Sequence, residues 1–135
     1  MVRHVHRRVR EIMTPEPATL SLDAPLTEAA RLMRDAEAGE VLVTQDGRLC
    51  GLLTDHDIVV RAVADGRDLT GTRLAEICSA GLVTVSPDDA ADTALRLMHD
   101  RAVRRLPVVQ DGRLVGIVSI GDLTSDRDES SALTG

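Results

Sequence analysis

The chain contains no Phe, Tyr or Trp, although 43% of its 135 residues are hydrophobic. Its core must be built from Val, Leu, Ile, Ala and four Met. The aromatic platforms on which exposed bases stack are missing, which argues against single-stranded nucleic-acid binding. Lysine is absent as well, and all sixteen basic residues are Arg. Twenty-two acidic residues outweigh them, and the formal charge of −6 argues against a general polyanion binder. Two Cys are too few for a disulfide scaffold and suggest a reducing interior. No apolar run is long enough to cross a bilayer. The basic start, Met1–Arg10, is not followed by the apolar stretch of a secretion signal. The expectation is a cytoplasmic protein with no membrane partner.

What the chain does contain, it contains twice. Val43–Asp57 (VTQDGRLCGLLTDHD) returns sixty-five residues later as Val108–Asp122 (VVQDGRLVGIVSIGD). Setting Glu11–Ile58 on Glu76–Leu123 needs no gap and gives 18 identities in 48 positions. A fixed period with this retention marks two copies of one supersecondary unit. Neither copy is long enough to bury a good core alone, so the two are expected to pack on each other.

Met1–Met13 carries Arg3, Arg7, Arg8 and Arg10, with Val2, Val5, Val9 and Ile12 at helical spacing. This predicts a short helix docking on the body or on a partner copy. Pro15 and Pro17 then force extended chain. In the first copy Ala18–Leu20 reads as a short strand. Leu26–Ala36 reads as a helix capped by Ser21 or Asp23, with Pro25 in its first turn and Gly39 at its end. Val41–Thr44 and Leu49–Leu53 form a hairpin around Asp46-Gly47. Thr54 or Asp55 opens a closing helix through Ile58, Val59, Ala62 and Val63. The second copy repeats the plan: a helical turn at Arg73–Cys78, a strand at Leu82–Val85 and a helix from Ser86-Pro87-Asp88 to about Arg101. A hairpin, Arg105–Val109 with Leu114–Ser119, and a short closing helix complete it. The fold class is α+β, with each copy running β-α-β-β-α and a pseudo-twofold relating them. A cleft lined by symmetric repeats is a natural ligand site.

These residues resemble a tandem cystathionine-β-synthase-type (CBS) domain pair, or Bateman module. The marks are Arg96-Leu97-Met98, Leu106-Pro107-Val108-Val109, Asp111–Ser119 (DGRLVGIVS) and Asp122. Their first-copy counterparts are Asp46–Leu49, Gly51–Thr54 and Asp57. The segment Asp55–Gly66 is similar to the link in small stand-alone members. On this resemblance the chain divides into a basic amphipathic segment (1–13), repeat 1 (14–64), a linker with a short helix (65–78), repeat 2 (79–125) and a flexible acidic tail (126–135).

The resemblance implies a non-catalytic, energy-sensing regulator without a cofactor. It would bind AMP, ADP, ATP or S-adenosylmethionine between the repeats, pair into a homodimer and act on a protein target the sequence does not name. The implied contacts are Thr54 with Asp57 and Ser119 with Asp122, hydroxyls toward phosphate or sugar and carboxylates toward ribose. Backbone near Thr14–Ala18 and Ser79–Val83 would face the adenine edge. With no aromatic available, Val83 and Ile117 would sandwich the base. A carboxylate that accepts from both ribose hydroxyls is a charge-assisted arrangement that rejects ligands lacking them. The alternative role for both Asp residues is helix capping. The alternative function is a ligand-free structural or stress-related interaction module.

Other features carry less. Asp55-His56-Asp57 has no partnered nucleophile and is not read as catalytic. Cys50 and Cys78 align with Val115 and Met13, apolar positions, and are expected to be buried thiols. No Cys/His spacing resembles a metal motif. Gly47 and Gly112 lack the ending of a phosphate loop.

Overall fold

The computed structural model describes residues 7–124. Residues 1–6 of the expected N-terminal helix and the expected flexible tail lie outside the described residues. In chain order the elements are α1 (Val9–Ile12), β1 (Thr14–Pro15), β2 (Thr19–Ser21), α2 (Leu26–Ala36), β3 (Glu40–Gln45) and β4 (Arg48–Thr54). Next come α3 (Asp55–Asp57), which runs into a π-helix (Ile58–Val63), and α4 (Leu74–Ile77). They are followed by α5 (Ala91–Arg101), β5 (Arg105–Gln110) and β6 (Arg113–Ser119), with residues 120–124 helical as α6. They gather into two compact units, Ala18–Leu82 in one and the residues before Ala18 together with those from Val83 onward in the other.

In the Ala18–Leu82 unit, β2 runs parallel to β3, and β3 antiparallel to β4 from Glu40 opposite Thr54 to Gln45 opposite Arg48. The two residues between are Asp46 and Gly47, with φ of 53° and 80°. Two left-handed positions in a two-residue loop make the turn whose twist matches a hairpin. Leu26, Ala29 and Met33 are buried at helical spacing on α2 and pack with Val43, Leu53 and Ile58. Each such large side chain contributes about 2 kcal/mol of apolar burial.

The ends of α2 differ from the expectation. Neither Ser21 nor Asp23 caps it: Pro25 occupies the cap position, and Ser21 Oγ accepts from the Asp23 N–H at 3.1 Å. The exposed helix donors are taken by linker carbonyls instead, Leu26 N–H by Thr72 O at 3.0 Å and Thr27 N–H by Leu69 O at 3.3 Å. Nor does Gly39 end the helix. Glu37 does, in a left-handed conformation, and Ala38 N–H closes the last turn on Met33 O at 3.0 Å. Gly39 serves a different need, since a Cβ there would stand 3.3 Å from Asp55 Oδ2.

The second unit repeats this geometry. β5 and β6 pair from Arg105 opposite Ser119 to Gln110 opposite Arg113, and β1 lies antiparallel on the other side of β6. The strand expected at Leu82–Val85 shrinks to a single parallel bridge, Val85 to Val108. The helix expected from Ser86 begins at Ala91. The preceding residues form a turn in which Asp89 Oδ2 accepts from Ser86 N–H and Ser86 Oγ from Asp88 N–H. Asp and Ser side chains compete with helix for their own backbone, so the start is delayed. Ala94, Met98, Leu106, Val108, Val118 and Leu123 form the core.

The two four-residue helices are distributed unexpectedly. α1 precedes the first copy in sequence yet packs with the second. Val9 N–H donates to Asp89 O at 2.9 Å, Arg10 N–H to Pro87 O at 3.0 Å and Arg8 Nη1 to Asp88 O at 2.5 Å. The Arg10 guanidinium also pairs with the Asp88 carboxylate. α4 makes the equivalent bonds in the first copy, with Leu74 N–H on Ala24 O, Ala75 N–H on Leu22 O and Arg73 Nη1 on Asp23 O. Helices this short have no stability of their own. These contacts hold them.

Candidate functional site

The hydroxyl–carboxylate pairs singled out in the sequence both stand where a hairpin strand becomes its closing helix. Thr54 ends β4. Its Oγ1 accepts from Asp57 N–H at 3.0 Å, and its own N–H donates to Asp57 Oδ2 at 3.0 Å. Ser119 ends β6 and does the same with Asp122, at 3.1 and 3.0 Å. Both are reciprocal capping boxes. The capping role expected of these Asp residues is therefore real. It leaves each hydroxyl proton and each Oδ1 outside the box. Asp57 retains 14% side-chain exposure, and its Oδ1 is 3.8 Å from Arg61 Nε.

In the unit that holds Ser119, Thr14 pairs with Ile117 and Pro15 with Gly116. Alternation along β6 puts Ile117 and Ser119 on one face, and Thr14, directly opposite Ile117, shares it. Thr14, Ile117 and Ser119 thus form a row that ends at Asp122. β1 approaches so closely that a Cβ on Gly116 would lie 2.6 Å from Met13 Sδ and 2.9 Å from Thr14 O. Only glycine admits it. Val83 lies in the same unit, partly buried against its core.

The other unit has a corresponding row that sequence reasoning identified only in part. Leu52 and Ser79 exchange two backbone hydrogen bonds, 3.0 and 2.9 Å, where the second unit pairs Ile117 with Thr14. Leu52 and Ser79 belong beside Thr54 and Asp57 as Ile117 and Thr14 belong beside Ser119 and Asp122. The sixty-five-residue offset was the signal that identifies them. A Cβ on Gly51 would stand 2.9 Å from both Cys78 Sγ and Ser79 O.

Cys50 and Cys78 are both free and half-buried rather than buried. Burial pushes the Cys78 thiol pKa up, and nearby Cys50 and Asp57 add to the shift. His56 is exposed, and its backbone N–H donates to Asp55 Oδ1 at 2.8 Å. Among the described residues, no three His, Cys, Asp or Glu side chains converge to hold a metal, and no helix is long and apolar enough to cross a membrane. Each row offers a hydroxyl donor, a carboxylate oxygen and a closely approaching backbone edge over an aliphatic side chain. Hydroxyls, carboxylate oxygens and backbone groups so placed can hydrogen-bond a polar ligand.

Comparison with known proteins gives a consistent result. The family model described as "CBS domain" matches residues 9–63 and again 74–128. The CBS domain-containing protein YhcV of Bacillus subtilis is 41% identical over 130 residues, covering 93% of this chain and 92% of that protein. Hypoxic response protein 1 of Mycobacterium tuberculosis is 34% identical over 115 residues, 84% of this chain and 80% of that one. Its crystal structure, with two coordinated zinc ions, superposes with a TM-score of 0.79, covering 87% of this chain and 97% of that one at 33% identity. CBSX2, solved in complex with AMP, shares the fold with a TM-score of 0.80 over 91% of this chain and 97% of that one at 22% identity.

Proposed function

This chain belongs to the CBS-domain family as a tandem pair, and from that premise we propose that it is a regulatory module binding an adenosine-containing ligand, AMP, ADP, ATP or S-adenosylmethionine. Relatives covered over most of their length, such as YhcV and YlbB, are named as CBS-domain or uncharacterised proteins, and the module performs no reaction of its own. The observation that carries the reading is the duplicated row: Thr14, Ile117, Ser119 and Asp122 in one unit, Ser79, Leu52, Thr54 and Asp57 in the other. Each carboxylate has an oxygen beyond its capping bond for ribose hydroxyls. Each hydroxyl has a proton for a phosphate or sugar oxygen, and each backbone edge can read adenine. That CBSX2 holds AMP on the same fold agrees with this use. Asp57→Ala or Asp122→Ala should abolish saturable nucleotide binding at its own half-site. Binding indifferent to both removes the assignment.

A second copy of the chain completes the reading. Val59, Val60 and Val63 on the closing helix of the first unit are 57%, 48% and 54% exposed, on the side away from buried Ile58 and Ala62. Asp55 at the start of that helix and Arg61 toward its end give a charge order that suits antiparallel pairing across a twofold axis.

The capping boxes also favour a second reading, a ligand-free structural or stress-related interaction module. In that case the hydroxyls and carboxylates act as caps alone.

A further inference from the structure

The Asp57 carboxylate is approached from two sides. Its Oδ2 accepts from Thr54 N–H at 3.0 Å, and its Oδ1 lies 3.8 Å from Arg61 Nε. Arg61 follows four residues later on the closing helix and reaches in a second direction as well. Its Nη1 donates to Ile77 O at 3.1 Å. Ile77 is the last residue of α4 and is only 2% exposed. Carbonyls at a helix end have no partner inside the helix, and an arginine side chain is one of the groups that takes them. One neutral and one charged partner thus orient a planar guanidinium whose side chain is otherwise 53% exposed.

These partners also connect the two sides of the half-site. Two residues beyond Ile77 stands Ser79, whose backbone exchanges hydrogen bonds with Leu52, and Leu52 precedes Thr54 by two on β4. Thr54, Asp57, Arg61, Ile77, Ser79 and Leu52 therefore close a ring, in which the Arg61 side chain spans from the closing helix to α4. The repeat does not duplicate this residue. Sixty-five positions on, the sequence has Asp126, which carries no guanidinium.

We propose that Arg61 is a positioning residue for ribose recognition in the Thr54–Asp57 half-site. The proposal rests on the adenosine-binding reading above. An ionised carboxylate accepts through both oxygens. The Thr54 N–H holds one and Arg61 attracts the other, which sets the plane of the Asp57 carboxylate before a ligand arrives. A ligand lying over Asp57 removes the 14% of its side chain still exposed. A carboxylate covered without a cation nearby is an uncompensated buried charge, and Arg61 offsets that cost. Arg61 thereby strengthens the bonds from the ribose hydroxyls to Asp57 without touching the ligand itself.

The test is calorimetric titration of AMP, adenosine and dideoxy-AMP, which lacks the two ring hydroxyls of ribose, into the wild type, Asp122→Ala and Asp122→Ala with Arg61→Ala. The Asp122 substitution silences the other half-site, so the remaining heat belongs to Thr54–Asp57. Should alanine at 122 unfold the chain, Asp122→Asn keeps an acceptor for the Ser119 N–H and serves in its place. Loss of Arg61 is expected to weaken AMP and adenosine alike, about fivefold, the scale of a partly exposed ion pair. Dideoxy-AMP, with no hydroxyls to present to Asp57, should bind as before. Equal weakening of AMP and dideoxy-AMP means that Arg61 supports only the fold or the pairing of chains, and it overturns the proposal. So does weakening of AMP without adenosine, which marks a phosphate contact, and so does no weakening at all. Binding seen in the wild type but absent from the Asp122 variant overturns the proposal and leaves nucleotide binding intact. No saturable heat from any of the three on folded wild type overturns the binding reading and the proposal together.

Discussion

Substituting Gly116 with alanine tests the architecture of the Ser119 row most sharply. A methyl at this position would meet Met13 Sδ at 2.6 Å and Thr14 O at 2.9 Å. The thioether can swing aside, but the carbonyl is backbone and is fixed by the β1–β6 pairing. The ladder must open or β6 must shift, and overpacking of this kind costs about 1–3 kcal/mol. For a domain of this size each kcal/mol moves the melting temperature by about 4 °C, so Gly116→Ala should melt about 4–12 °C below wild type. Gly121 is the control, because a Cβ there meets only Ser119 Oγ, at 3.7 Å. It sits in α6, where alanine is the better helix former, so Gly121→Ala should be neutral or stabilising by up to about 1 kcal/mol. With no aromatic residue to report by fluorescence, thermal and urea unfolding are followed by far-UV circular dichroism or scanning calorimetry. A Gly116→Ala protein as stable as wild type would refute the close approach of β1, and with it the backbone edge of that half-site.

Thr54→Ala should lower stability by about 1 kcal/mol through loss of the cap on the helix beginning at Asp55, while Thr54→Ser keeps the bond and stays near wild type; urea midpoints compare them. The Cys78 thiol has its pKa raised in the folded state, chiefly by burial, so the folded chain holds that proton more tightly than the unfolded one. Its contribution to stability should be complete below the unfolded thiol pKa of about 8.5 and decline as pH rises through the folded value. Cys78→Ala should flatten that alkaline decline in a pH series of melts. The proposed dimer predicts that Val60→Asp, which places a charge in the exposed valine row, lowers the sedimentation coefficient to that of a monomer while far-UV circular dichroism stays that of the folded chain; an unchanged coefficient removes the valine row as the interface.

Elements whose signals are local were the ones the sequence made legible. The span Leu26–Ala36 follows from one apolar stripe, and both hairpins from an Asp-Gly pair between alternating residues. The capping boxes were readable for the same reason, since hydroxyl and carboxylate stand three residues apart. Helix ends were less legible. The cap of α2 comes from Leu69 and Thr72, more than forty residues downstream, and no local pattern encodes it. The placement of α1 with the second copy was hidden for a related reason: periodicity shows that Val9 has an apolar face, not which surface buries it. Ser79 and Leu52 were missed as a pair because neither carries a motif. Their role emerges only when Thr14–Ile117 is moved sixty-five positions along the repeat.

The claim that this tandem CBS pair binds an adenosine-containing ligand is tested most directly by isothermal titration of the folded protein with AMP, ADP, ATP and S-adenosylmethionine, one at a time. Saturable heat from at least one of them, with a stoichiometry of one or two per chain, is the result the account predicts. Silence across all four, with cooperative unfolding confirming an intact fold, would contradict it and leave the Thr54–Asp57 and Ser119–Asp122 pairs as helix caps alone.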